Sequence, residues 1–176
     1  MSLGLETVLV LGVGNSLLSD DGFGIHVVEA LRRAASLDAR VCLRDGGTLG
    51  LSLLPDIEDA DHIIVVDAAE LKSTPGDIQV FEGEGMDAHL SRHKSTVHEV
   101  AMVDLLSAAR LAGTLPQTQT LIAVQPESLD WGDHPTPQVE TSIPQACDLV
   151  CKLVERRLVH GLERQLLCHE ERLLLL

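Results

Sequence analysis

The stretch Thr7-Val8-Leu9-Val10-Leu11-Gly12-Val13 decides the fold class of this chain. Its apolar residues are continuous rather than alternating, which is typical of a strand buried on both faces of a parallel sheet. Residues 22–35 follow with apolar side chains at helical spacing, and Asp20 or Asp21 stands where an N-cap is expected. A buried strand that leads directly into a helix indicates an α/β unit.

Strand and helix patterns alternate through the rest of the chain. Further strands are predicted at 40–44, 62–66, 77–81 and 120–124, and further helices at 49–57, 97–111 and 139–160. Only about nine residues separate the third and fourth strands, whereas a parallel crossover needs a dozen or more. We therefore predict a three-layer α/β/α fold with a mostly parallel five-stranded sheet and an antiparallel fourth strand. Residues 1–160 would form a single domain, followed by a C-terminal tail at 161–176.

The bulk composition narrows the class of partner. The chain has 176 residues, a formal net charge of -14 and 2% aromatic residues, so it offers neither the basic face nor the stacking platforms of a nucleic-acid binder. The apolar run that ends at Gly12 has no basic region before it and is too short to span a bilayer. We predict a cytoplasmic protein with no membrane insertion.

Acidic residues follow three of the predicted strands. Asp21, Asp45 and Asp67 come after the first, second and third strands, and binding sites in such sheets form beyond the carboxyl ends of the strands. His98 begins the helix at 97–111. Two carboxylates and an imidazole suit a borderline divalent ion such as nickel or zinc. From spacing alone the roles stay open: a lone histidine at a helix start is more often a surface or capping residue, and Asp45 could simply cap a glycine turn.

Other enzyme classes fit the residues less well. A dinucleotide fingerprint would need a third glycine where Leu17 stands, and the acidic segment that follows would repel a pyrophosphate. The Gly-x-Ser-x-Gly sequence of a nucleophile elbow is absent. His98-Glu99 begins like a zincin helix, but Met102 occupies the position of the second histidine.

Several segments, taken in order, resemble the motifs of the hydrogenase maturation proteases. These segments are Leu11-Gly12-Val13-Gly14-Asn15 with Asp20-Asp21-Gly22-Phe23-Gly24, Asp45-Gly46-Gly47-Thr48, Val65-Val66-Asp67-Ala68, Ser95-Thr96-Val97-His98 with Asp104-Leu105-Leu106, and Gln125-Pro126. Each motif alone is short, but the ordered set spans roughly residues 6 to 160 and is highly specific.

The resemblance implies an endopeptidase that removes the C-terminal extension of the nickel-loaded [NiFe]-hydrogenase large-subunit precursor, cutting after a basic residue. It also implies that nickel is recognised by Asp21, Asp67 and His98, with Asp45 as an auxiliary catalytic acid beside them. Asp21 is preferred to Asp20 because it directly precedes the matching Gly22. The metal could belong to the protease or be presented by the substrate. The alternatives are a metal-binding maturation chaperone that does not cut and a nucleotide-binding α/β enzyme.

Overall fold

The computed structural model describes residues 5–34, 37–48, 50–92 and 97–173, and within them it leaves out the side chains of residues 34, 92, 97–99 and 160–173. The strands are β1 (Val8–Val13), β2 (Val41–Gly47), β3 (His62–Ala68), β4 (Ile78–Glu82) and β5 (Thr118–Val124). The helices are α1 (Phe23–Ala34), α2 (Leu54–Glu58), α3 (Glu84–Arg92), α4 (Val97–Ala112), α5 (Pro137–Glu140) and α6 (Ile143–Leu173). Short 3-10 turns at Ser19–Gly22 and Leu51–Leu53 precede α1 and α2.

The five strands form one sheet in the order β2-β1-β3-β5-β4. The strand β1 lies between β2 and β3, parallel to both, and β3 is parallel to β5. The edge strand β4 pairs with β5 in the antiparallel sense, as its short connection predicts. All residues of β1 are buried, which confirms the prediction of a strand buried on both faces, and all residues of β3 are buried as well.

The two faces of the sheet carry separate hydrophobic cores. One face packs against α1 and α6, and its core includes Val8, Val10, Phe23, Ile64, Val66 and Val150. The other packs against α2, α3 and α4, and its core includes Leu9, Leu11, Ile63, Val65, Ile57, Met86 and Leu105. Alternate residues of each strand therefore point into opposite cores, and the fold is the predicted three-layer sandwich.

The structure departs from the prediction at several element boundaries. The strand β2 continues to Gly47 through a segment predicted as a turn, and the helix α3 lies where none was predicted. The predicted helix at 139–160 is divided between α5 and α6, and α6 continues to Leu173, through most of the predicted tail. Residues 174–176 are outside the described ranges. Within the described ranges, no helix is both long and apolar enough to cross a membrane.

Candidate active site

The carboxyl ends of β2, β1 and β3 lie side by side, and the predicted acids are found there. Asp45 is paired with Gly12 across β2 and β1, and Asp67 is the penultimate residue of β3. Asp21 lies in the 3-10 turn that follows β1, and this turn contacts β3. The parallel topology thus brings acids from three distant segments to one edge of the sheet.

The segment between β1 and α1 holds Asp21 in a tight loop. The Asp21 side chain is 8% exposed, and its Oδ2 accepts a hydrogen bond of 2.8 Å from the backbone N–H of Asn15. Gly14 has a φ of 134°, and a β-carbon there would clash with the backbone carbonyl of Asp21. The loop therefore requires glycine at position 14. It places the nearly buried Asp21 carboxylate close to the carboxyl ends of the strands.

Asp67 lies on the α4 side of the sheet. Its side chain is 6% exposed, and its Oδ1 accepts a hydrogen bond of 2.9 Å from the N–H of Ala68. Ile63 and Val65 belong to the core that α4 covers, so strand alternation directs Asp67 to the same face. His98 is in the first turn of α4, with its side chain outside the described set. Its role in the metal site stays a prediction.

Asp45 differs from Asp67 in exposure and in the face of the sheet. Its side chain is exposed, and its Oδ1 accepts a hydrogen bond of 2.8 Å from the N–H of Gly47. Val41 and Leu43 pack against the core under α1, so alternation along β2 directs Asp45 to the α1 face. The carboxylate stabilises the glycine-containing end of β2 and remains accessible from solvent.

The neighbouring acid, Asp20, has a role that the sequence did not predict. The expectation that Asp20 or Asp21 caps the helix is wrong, because both lie inside the 3-10 turn and that turn has no side-chain cap. The Asp20 carboxylate is fully buried and accepts hydrogen bonds from the N–H groups of Glu127, Ser128 and Thr136, at 2.8, 2.9 and 2.6 Å, and from the Thr136 hydroxyl at 3.1 Å. Asp20 therefore fixes the loop at residues 127–136 against the start of α1.

Gln125 fixes the chain that follows Asp67. Its side chain is 7% exposed, its Oε1 accepts a hydrogen bond of 2.7 Å from the N–H of Leu71, and its Nε2 donates one of 3.1 Å to the carbonyl of Pro126. The bond to Leu71 joins the residue after β5 to the connection between β3 and β4. The Gln125-Pro126 motif thus has a physical role beside the site.

The described thiols are not arranged as nucleophiles. Burial raises the pKa of Cys147 to about 11, and burial also raises the pKa of Cys151. Because the thiolate is the reactive form, a raised pKa disfavours the reactive state of both groups. Cys42 is exposed but pairs with Leu9 in the first half of β1, away from the carboxyl ends of the strands.

The described side chains include no group of three or more His, Cys, Asp or Glu residues that could hold a metal ion. Asp21 and Asp67 are among these described side chains, and His98 is not. Both carboxylates are nearly buried, Asp67 on β3 and Asp21 in the turn after β1, and carboxylate oxygens are suitable ligands for a divalent cation. The described part of the site is thus compatible with a metal while leaving the third ligand to be tested.

Comparison with known proteins decides the family. A sequence profile described as hydrogenase maturation protease matches residues 25–153. The chain belongs to the hydrogenase maturation protease family. It is 38% identical over 159 residues to the hydrogenase 2 maturation protease of Escherichia coli, an alignment that covers 90% of this chain and 96% of the relative. Membership confirms the resemblance seen in the sequence and makes the chain an endopeptidase of hydrogenase maturation.

Solved structures of family members share the fold. The hydrogenase maturating endopeptidase HybD from Escherichia coli superposes with a TM-score of 0.82 at 38% identity, covering 86% of this chain and 93% of that one. A hydrogenase 2 maturation peptidase from a member of the Thaumarchaeota gives a TM-score of 0.65 at 38% identity, covering 85% and 98%. The α/β architecture around the site is therefore that of the family.

Proposed function

We propose that this maturation protease removes the C-terminal extension of a nickel-loaded [NiFe]-hydrogenase large-subunit precursor, and that Asp21, Asp67 and His98 recognise its metal centre. One observation carries the proposal: in a chain of this family, two nearly buried carboxylates lie close to the carboxyl ends of neighbouring strands, Asp67 on β3 and Asp21 in the turn that follows β1. Carboxylate oxygens at this end of the sheet are suitable ligands for a divalent cation. We place the reaction in the cytoplasm, as the sequence predicts.

The choice of residues is supported by what their neighbours do. Asp20 is committed to the loop at 127–136, so Asp21 is the better candidate of the adjacent pair. Asp67 is directed to the face that α4 covers, and the first turn of α4 includes His98. This common face supports the assignment of His98 as the third ligand.

The donor set favours a metal that arrives with the substrate. Asp21, Asp67 and His98 would supply oxygen and nitrogen donors but no thiolate, and such a set is not a cage for a soft metal. A cation at this edge would polarise the scissile carbonyl or activate water. Asp67 or Asp45 would accept the proton of the attacking water, and the exposure of Asp45 gives it access to an incoming peptide.

The test is incubation of the full-length protein with the precursor, nickel-loaded in one sample and metal-stripped in another. We expect the mass of the nickel-loaded precursor to fall by that of its C-terminal extension and the stripped precursor to stay intact. Native mass spectrometry should show that the isolated protease retains little nickel. Tight, stoichiometric nickel together with cleavage of the stripped precursor would mean that the metal belongs to the enzyme. Binding without any loss of mass would indicate a maturation chaperone.

A further inference from the structure

The loop at residues 127–136 is fastened to the segment just before Asp21. The N–H of Ser19 donates to the carbonyl of Gly132 at 2.8 Å, and the N–H of Gly132 donates to the carbonyl of Leu17 at 3.0 Å. The Ser19 hydroxyl donates to the carbonyl of Asp130 at 3.0 Å. Together with the bonds to Asp20, these contacts fix both ends and the middle of the loop.

Two further features indicate that this loop has one well-defined conformation. Ser19 has a φ of 46°, a left-handed conformation that non-glycine residues seldom adopt without support from their surroundings. A β-carbon at Gly132 would clash with the Ser19 side chain, so the two segments approach as closely as glycine allows. The loop is therefore a preformed surface rather than a flexible connection.

This preformed surface exposes large apolar side chains. Trp131, the only tryptophan in the chain, is 83% exposed, and Leu17 and Leu129 are 55% and 48% exposed. Single exposed apolar residues are common, but these three belong to two segments that hydrogen bond to each other. We call Leu17, Leu129 and Trp131 the Trp131 surface. Exposed acids flank it in the sequence, at Glu127, Asp130 and Asp133.

We propose that the Trp131 surface is the docking site for the hydrogenase large-subunit precursor, at a part of the precursor with an apolar pocket and basic side chains around it. The proposal rests on the proposed function. Rigid aromatic side chains are the residues that most often dominate binding energy at protein interfaces, because ordering them loses little conformational entropy. The flanking acids favour a partner with positively charged side chains at the contact, since complementary potentials favour association.

The position of the Trp131 surface favours the substrate over a second copy of the chain. Two copies meeting here would bring acidic residues of the same kind together, in a chain with a net charge of -14. The surface is joined through Leu17 and Ser19 to the segment that ends at Asp21. A partner held there contacts a loop that is hydrogen-bonded to the segment carrying Asp21.

The test compares Trp131→Ala with Leu111→Ala in the full-length protein. Leu111 is a matched control because it is 90% exposed and lies near the end of α4, just before the amino end of β5. We expect Trp131→Ala to raise KM for the nickel-loaded precursor, and its Kd in calorimetry, by about tenfold or more, while kcat changes less than about threefold. Leu111→Ala should leave KM and Kd near their wild-type values. Raising the salt concentration should weaken wild-type binding, since charged residues surround the apolar centre.

Unchanged KM and Kd for both Trp131→Ala and Leu129→Ala would overturn the docking proposal, as would a fall in kcat at constant KM. A wild-type dimer in sedimentation that Trp131→Ala dissociates would also overturn it, in favour of self-association. If the wild type binds the precursor without cutting it, the proposed function fails. The Kd comparison still decides the docking surface in that case.

Discussion

Asp20 and Asp21 are adjacent in the chain, yet they belong to two regions with different tasks. The Asp20 region is the loop at 127–136, where a fully buried carboxylate accepts four hydrogen bonds from the protein. The Asp21 region is the 3-10 turn that follows β1 and contacts β3, the strand that carries Asp67. Asp20 joins two segments of the fold, whereas Asp21 is the residue proposed to recognise the metal.

The difference shows that burial alone does not identify a functional acid. Both carboxylates are at most 8% exposed, but Asp20 is surrounded by backbone N–H groups from a segment more than a hundred residues away. Such bonds stabilise a charge without requiring a ligand. The position of Asp21 beside the strand ends makes it the better candidate for cation recognition.

The largest expected effect comes from the Asp21 region. We expect Asp21→Asn, Asp67→Asn and His98→Ala each to lower the rate of precursor cleavage more than about a hundredfold, because each removes a ligand or a charge that a cation requires. An asparagine oxygen can still accept the hydrogen bond from Asn15, so the free energy of unfolding of Asp21→Asn should differ from that of the wild type by less than about 1 kcal/mol. Cleavage by mass spectrometry and urea unfolding by circular dichroism measure the two effects. Near-normal cleavage by any two of these variants would contradict the assignment.

The same chemical change one residue earlier should act on stability instead. Asp20→Asn replaces an acceptor by a group with an NH₂ facing backbone donors, so we expect the free energy of unfolding to fall by about 2 to 4 kcal/mol. Under conditions where Asp20→Asn is folded, this variant should cleave the precursor faster than Asp21→Asn does. The urea midpoints of the two asparagine variants give the comparison directly. An Asp20→Asn midpoint equal to that of the wild type would show that the two acids do not differ as proposed.

The fold was predictable where local pattern and packing agree. The apolar runs of β1 and β3 identified the central strands, and the short connection before β4 identified the antiparallel one. The helix α3 was missed because it buries few apolar side chains, Met86 and Leu90 among them, and begins close to Gly83 and Gly85. Tertiary contacts, rather than a strong periodic pattern, determine that helix.

The candidate site was predictable only in part. Acids at strand ends are visible in a sequence, and the ordered motifs indicated which of them belong together. The role of Asp20 was not visible, because its hydrogen-bond donors are 107 to 116 residues away and three of the four are backbone groups without a residue signature. The same applies to Ser19 and Gly132, whose contact exists only after the loop has folded back.

The smallest expected effect concerns a histidine that faces the loop. The rings of His26 on α1 and His134 lie with centroids 6.3 Å apart, and Nε2 of His26 is buried without a hydrogen-bond partner among the described residues. Burial lowers the pKa of His26 below 6.5, opposed by Glu29 and Glu140 and reinforced by His134 and Arg33. His26 is harder to protonate in the folded protein than in the unfolded chain. Above pH 6.5 both states hold it neutral, so the free energy of unfolding is unaffected; as the pH falls through 6.5 towards the lower folded pKa, the unfolded chain takes up the proton first and the free energy of unfolding falls.

We expect urea unfolding of the wild type to show this fall in the free energy of unfolding with pH, and His26→Gln to lack the part that His26 causes. The difference should stay below about 1 kcal/mol because the site is only partly buried. Identical pH profiles for the two proteins would mean that the contact between α1 and the loop does not depend on the charge of His26, leaving Asp20 as the main electrostatic link between these segments.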